Sequence, residues 1–362
     1  MQKPPHDVAR GAPPEAWEPL LRLAKRAGRP LERFLQIEAA SGILLFLAAA
    51  IALLWANSPW ASSYVALWDT PLGVRIGDFS FERSLAWFVN DGLMVVFFFV
   101  VGMEIRREIH HGELSEWRRA ALPAAAALGG MIVPALLYLA IAGAGPTRTG
   151  WGVPMATDIA FAVGVLTLLG KRVPAALRVL LLALAVIDDL GAIIVIALFY
   201  SPGVSLTGLV AATLGVLILL AMQAFGVRSK AAFLVPAVIV WAGVYGAGIH
   251  PTIAGVILGL LTPVRAWLGP EGFVRGIEKE LDHLSQADAA HGGSQALAET
   301  LRHIDFVRRE AMSPAENQIE SLHPWVAFVI MPVFAFTNAG IDLAGLAPRD
   351  LLEQIPLGIV LG

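Results

Sequence analysis

Residues 151–200, WGVPMATDIAFAVGVLTLLGKRVPAALRVLLLALAVIDDLGAIIVIALFY, form two apolar segments joined by a short basic loop. The first carries Thr157 and Asp158 and the second carries Asp188 and Asp189, all among Leu, Ile, Val, Ala and Phe. An ionised carboxylate in hydrocarbon costs roughly 2.5–3.5 kcal/mol on insertion scales, so such groups normally face a cavity, a partner or an ion. An ion or proton site is the default reading of these three acids. The alternative is structural ion pairing with basic residues on neighbouring spans, and the placement of Lys and Arg tests it.

Working outward, 57% of the 362 residues are hydrophobic and 15% charged, and long apolar stretches recur along most of the chain. A soluble globular domain does not show this pattern, and at ~20 residues per crossing there is room for about ten transmembrane helices. The fold class is an all-α polytopic membrane protein. The net charge of −3 carries no information about partners, and no nucleic acid and no cofactor is expected. The absence of cysteine excludes disulfides and thiolate metal sites.

The chain divides into a polar N-terminal tail, residues 1–35, and a membrane domain, residues 36–362. The tail holds Lys3, Arg10, Arg22, Lys25, Arg26, Arg29 and Arg33. It reads as partly disordered, ending in an interfacial helix around Pro14–Leu35. The first apolar run, about Ala39–Trp55, starts too far in for a cleaved signal peptide. Asn57-Ser58-Pro59 ends it, with Trp55 and Trp60 at the interface. In residues 69–84 the period changes: Val74, Ile76, Phe79 and Phe81 are spaced by twos on either side of Gly77-Asp78. That reads as a β-hairpin outside the membrane, with edges open to a second copy of the chain.

Span 2, about Leu85–Met103, carries Asn90-Asp91 near its start and leads into GMEIRREIHHGE. Glu104 and Glu108 are four residues apart on one helix face, with Arg107 three from Glu104. Spacing alone leaves a solvated helix end with ordinary salt bridges as good a reading as a regulatory one. Span 3, about Ala120–Ala142, is rich in Ala and Gly and suited to close helix packing. Span 4 places Asp158 at mid-membrane if the crossing starts at Pro146, with Gly150, Gly152 and Pro154 interrupting its first half. An interrupted helix at midplane points to a transport site. Span 5, about Ala175–Tyr200, holds Asp188-Asp189 at its centre, the two side chains about 100° apart.

Span 6 covers about Leu206–Phe225. Spans 7 (about Ala231–Tyr245) and 8 (about Pro251–Leu261) are short enough to be two tilted crossings or one re-entrant hairpin. Residues 264–320 read as a long polar loop with helical patches, span 9 as about Pro324–Ala339, and a tenth apolar run opens at Ile355. Of the 26 Lys and Arg, only Arg75, Arg83, Arg148 and Arg349 lie in the loops on one side. The rest fall in the tail and the alternate loops, a positive-inside signature with a cytoplasmic N-terminus. No Lys or Arg remains inside any complete span, which answers the ion-pair alternative.

The strings VNDGLMVVFFFVVGMEIRRE, ATDIAFAVGVLTLLG, ALAVIDDLGAIIVIALFY, HPTIAGVILGLLTP, LHPWVAFVIMPVFAFTNAG and IPLGIV resemble the NhaA-type bacterial sodium/proton antiporters in order and spacing. The likeness covers about residues 36–362 with a longer loop at 266–315. It implies an inner-membrane exchanger of the inverted-repeat antiporter fold, with an interrupted helix 4. By motif match it assigns Asp188 and Asp189 as the pair that binds Na+ or Li+ and exchanges protons. Asp158, with Thr157 beside it, compensates broken-helix ends. Asp91 is a cavity acid, and Glu104, Glu108, His250, Glu320 and His323 are pH-response positions. The hairpin, residues 70–83, resembles the family's homodimer contact. The family's tenth span runs on to a lysine beside the paired aspartates and its eleventh is a second broken helix, so the sequence reads as cut off within its tenth span.

Adjacent carboxylates in low dielectric titrate as a coupled unit, and their oxygens are hard ligands suited to a small alkali cation. If cation and protons compete for those oxygens, antiport follows from alternating access. Two other classes stand beside this one. A truncated, non-transporting membrane protein acting as an interaction partner is the first. An intramembrane aspartyl protease is the second, but it needs a Gly-x-Gly-Asp loop, and here Gly191 follows the aspartates.

Overall fold

Helices account for most of the chain in the computed structural model, which describes residues 40–77, 79–143, 145–156, 173–200, 203–227, 229–288, 293–343 and 353–361. Thr157, Asp158 and the interfacial helix expected around Pro14–Leu35 lie outside them. The chain enters through α1 (Ala40–Ala56), turns at Asn57-Ser58-Pro59, and continues as α2 (Ala61–Trp68), bent by 118° from α1. The turn stops α1 as its composition requires: Ser58 Oγ donates to the Trp55 carbonyl and accepts from the Trp60 amide. Trp60 is exposed, whereas Trp55 packs against Tyr64 and Phe336 instead of standing free at an interface.

Strands β1 (Pro71–Ile76) and β2 (Phe79–Ser84) pair antiparallel, Ile76 opposite Phe79, so the loop is the two residues Gly77-Asp78. Gly77 takes φ +57°, the conformation such a tight turn demands. The hairpin is fastened to the bundle through Arg83, whose Nε and Nη2 donate to Tyr245 Oη at 3.1 and 2.8 Å.

Four further helices are long and apolar enough to cross a membrane among the described residues before the C-terminal third: α3 (Leu85–His111), α4 (Trp117–Ala142), α5 (of which Val179–Phe199 meets the test; the helix spans Ala175–Phe199) and α6 (Leu206–Ala224). Residues Pro146–Gly152, between α4 and α5, form a 3-10 helix and not the start of an α-helix. The shorter α7 (Leu234–Gly246) and α8 (Thr252–Leu261) follow. Then come α9 (Gly269–Asp288), α10 (Gly293–Ala311), the long α11 (Pro314–Asn338) and α12 (Gln354–Leu361).

Residues 264–320, expected as a polar loop with helical patches, are mostly helix among the described residues. Helices α9 and α10 pair as an antiparallel hairpin closed at its base by the Leu268 amide on the Glu310 carbonyl. Helix α11 starts ten residues before Pro324 because Ser313 and Glu316 form a reciprocal capping box, with Pro314 at the first position. Ser313 Oγ accepts from the Glu316 amide at 3.2 Å and Glu316 Oε2 accepts from the Ser313 amide at 3.1 Å.

Two helices contain π-helical turns, Phe88–Leu93 in α3 and Val326–Ile330 in α11. In α11 the cause is Pro332, which has no N–H and whose ring crowds the preceding turn, so the ladder widens before it.

Contacts fix the directions. Asn90 and Asn338 exchange hydrogen bonds of 3.3 and 2.8 Å at one end of α3 and α11, while Met103 packs on Ile319 toward the other, so the two helices are antiparallel. Asn57 holds the chain just after α11, donating to the Ile341 carbonyl and accepting from the Leu343 amide at 2.7 Å. Helices α1 and α11 thus finish at the same end, and Ala40 and Pro314 lie at the other.

One close seam joins α3 and α8, as another joins α6 and α7 through Gly208 and Gly243. A Cβ on Gly255 would stand 2.3 Å from the Val95 carbonyl oxygen, and one on Gly259 would stand 2.4 Å from that of Phe99. The backbones touch, in parallel register. In α4, where Ala and Gly suggested such packing, Gly129 and Gly130 have open space where a Cβ would sit. The close approach of α4 to α5 comes from the partner, with Met131 filling the space above Gly191.

Candidate functional site

Helix α5 is apolar throughout, and Asp188 and Asp189 fall at its middle. Residues Val186, Leu190 and Ile193 lie on its face against Val101, Ile105 and Val256. Asp189, three residues after Val186 and four before Ile193, belongs to that face. Asp188, three before Gly191, belongs to the face that meets α4. Asp188 is only 4% exposed and Asp189 is half-buried. One carboxylate is thus buried and its neighbour half-buried. Among the described residues no three His, Cys, Asp or Glu side chains gather as a metal cage.

At one end of α3 the π turn carries Asp91. His250, at the start of α8, approaches it with Nε2 3.8 Å from Asp91 Oδ1, while His250 Nδ1 lies 2.8 Å from Thr252 Oγ1. The ring is oriented from both nitrogens, by a buried hydroxyl on one side and a carboxylate on the other. The Asn90–Asn338 pair sits beside this contact and fixes the π turn against the end of α11.

At the opposite end of α3 lies a cleft of about 510 Å³ lined by Arg107, Met312, Glu316, Ile319, Glu320, His323 and Pro324. Glu104 lies in electrostatic reach of His323 and Arg107. The Glu108 carboxylate folds back over Gly112, occupying the place a Cβ would take there. Antiparallel packing of α3 on α11 is what brings Glu104 to His323, residues more than two hundred positions apart in sequence.

The structure thus assembles the expected residues into three places: Asp188 and Asp189 in mid-helix, Asp91 with His250 at one mouth, and Glu104, Glu320 and His323 at the other. Asp158 and Thr157 fall outside the described residues. Sequence reasoning missed Thr252, Glu316 and the Asn90–Asn338 pair, and saw Arg107 only as a neighbour of Glu104. For Glu316 a signal existed, because Ser313-Pro314-Ala315-Glu316 is the capping-box pattern. The Asn pair had none, since its partners lie in distant helices.

A model of the family described as Na+/H+ antiporter 1 matches residues 32–362. The chain is 73% identical over 361 residues to a protein of Myxococcus xanthus named Na(+)/H(+) antiporter NhaA 2, covering 96% of this chain and 77% of that one. A protein of the same name from Sorangium cellulosum is 56% identical over 358 residues, covering 98% and 76%. One from Pseudomonas putida is 50% identical over 347 residues, covering 94% and 77%.

Proposed function

This chain belongs to the Na+/H+ antiporter 1 family and is a membrane antiporter exchanging Na+ for H+, and on that premise we propose that Asp188 and Asp189 bind the cation and the protons in competition. The observation that carries this reading is the placement of two adjacent carboxylates, one buried and one half-buried, at the centre of an apolar helix. An ionised carboxylate in such surroundings is costly, and binding of a cation or a proton lowers the cost. Each access state lets one or the other reach the pair, so movement of Na+ one way is tied to movement of protons the other way, without a further coupling device. The protein acts as a secondary transporter. Li+, of the same charge and hard character, is carried at the same oxygens.

Asp158 and Thr157 assist the pair. Asp91, facing His250, guards one mouth as a cavity acid. Glu104, Glu108, Glu320 and His323 at the other mouth, with His250, set the pH dependence. The charge pattern supports a bacterial inner-membrane location with the N-terminus, and hence the Glu104 end, in the cytoplasm. Two copies pair through residues 70–83, which form a two-stranded sheet with an unpaired edge on each strand.

The test is Na+-driven pH change in everted vesicles or proteoliposomes. Asp188→Asn and Asp189→Asn should each abolish it while leaving the protein folded by thermal melting. Near-wild-type exchange by either variant would remove that residue from the ion site.

A further inference from the structure

The α9–α10 hairpin takes no part in the exchange mechanism, yet it presents a built surface. Its seam is set by Gly276 against Val307 and by His303 Nδ1 3.2 Å from Glu280 Oε1. With that register, helix periodicity puts Val274, Leu281, Leu297 and Leu301 on one side of the hairpin, flanking Ile277 and Ile304 in the groove between the helices. These four flanking side chains are 53%, 53%, 44% and 54% exposed. The other side carries Arg275, Lys279 and His283 on α9 and Phe306 on α10, all exposed, and Arg308 stands beside Leu301 on the first. A helix pair with one apolar side is built to be covered on that side.

The occupant follows from charge and from reach. Residues 269–311 hold eight Asp and Glu against five Lys and Arg, and Glu271 and Glu278 border the apolar side on α9. An acidic surface of this kind is repelled by anionic lipid. The chain itself supplies a complement: 39 residues precede Ala40, and their stretch 20–35, LLRLAKRAGRPLERFL, interleaves Leu and Phe with Arg22, Lys25, Arg26, Arg29 and Arg33. That tail starts at the end of the bundle where Ala40 lies. The hairpin is rooted at the same end, immediately before Pro314, as the Asn57 clamp on Ile341 and Leu343 requires. Tethering keeps its local concentration near the millimolar range, so a weak contact suffices.

We propose that the N-terminal segment 20–35 docks on the apolar side of the α9–α10 hairpin, its basic residues meeting Glu271 and Glu278 at the rim. The tail and the hairpin, the two polar parts of the chain outside the membrane helices, then form one module on the mouth that holds Glu104 and His323.

The protein has no cysteine of its own, so introduced pairs report without background. In the full chain in nanodiscs, Leu23→Cys with Leu281→Cys should form an intramolecular disulfide at least about tenfold faster than Leu23→Cys with His283→Cys on the polar side. Joint Arg22→Glu, Lys25→Glu, Arg26→Glu and Arg29→Glu should remove the difference. A polarity-sensitive fluorophore on Leu281→Cys alone gives a second reading: its emission should be blue-shifted in the full chain and red-shifted by the same four substitutions. Equal disulfide rates on the two sides, or emission indifferent to the tail's charge, would overturn the proposal. So would an intermolecular disulfide of Leu281→Cys, which would mean a second copy covers the face, or quenching of the fluorophore by spin-labelled lipid, which would mean the membrane does.

Discussion

Asp188 and Asp189 stand in the middle of an apolar helix, whereas Glu316, Glu320 and His323 gather with Arg107 in an open cleft at one end of the bundle, with Glu104 in electrostatic reach of His323 and Arg107. Both are clusters of acids, but their surroundings differ. In the cleft, a carboxylate has neighbours of both signs and access to water. In mid-helix the medium cannot solvate a charge, so occupancy by a cation or a proton decides the energy of the whole state. Position along the helix, more than residue type, sets the cost of a charge, and on that ground the pair is proposed to carry the ion and the cleft to respond to pH.

The comparison breaks first at the pair. Asp188→Asn or Asp189→Asn should lower Na+-driven proton movement on the order of a hundredfold or more at every pH. Exchange that survives with only a displaced pH profile would make the pair equivalent to the cleft.

Next in size is the seam that carries both mouths. Gly255→Ala puts a methyl 2.3 Å from the Val95 carbonyl and should cost roughly 1–3 kcal/mol. Gly129→Ala, with open space around it, should be neutral or stabilise by up to about 1 kcal/mol through helix propensity. Thermal melting of the two variants side by side checks this, and equal melting temperatures would deny that the α3–α8 backbones touch.

At the cleft, Glu104→Gln, Glu320→Gln or His323→Ala should shift the pH profile of exchange while leaving the maximal rate within a few-fold, roughly, of wild type. Loss of rate at all pH values without a shift would assign these residues to the scaffold.

A smaller effect is expected from Ser313→Ala, which removes the cap beneath Glu316 and should cost about 1 kcal/mol. Smallest is Asp305→Asn, outside both regions. The hydrogen bond from Arg308 holds the exposed Asp305 carboxyl below its usual range. A depressed carboxylate contributes stability above its unfolded value and loses it as pH falls through its folded one. Any change in melting temperature should therefore be slight at neutral pH and vanish in acid.

Much of this was legible in the sequence because hydrocarbon imposes strong rules. Apolar runs gave the helices, the Val74–Phe81 alternation gave the hairpin, and an isolated Asp188-Asp189 in a Leu-rich run drew attention to the pair. What the sequence hid depends on contacts between distant segments. Glycine content alone suggested close packing for α4, but a small residue makes a seam only where another backbone arrives, as happens at Gly255 and Gly259. The meeting of Asp91 with His250, and of Glu104 with His323, needed the parallel register of α8 and the antiparallel one of α11. The start of α11 was misplaced because the polar composition of 314–323 outweighed a capping signal only four residues long.

Where two backbones touch there are no rotamers to absorb a displacement. Asp91 and Glu104 ride on the same helix about 20 Å apart, on either side of the Gly255–Gly259 contact with α8. A rod gripped in its middle behaves as a lever with a fulcrum. Were α3 to tilt about that grip, its two ends would swing in opposite directions, and widening one mouth would narrow the other without a wire of intermediate side chains.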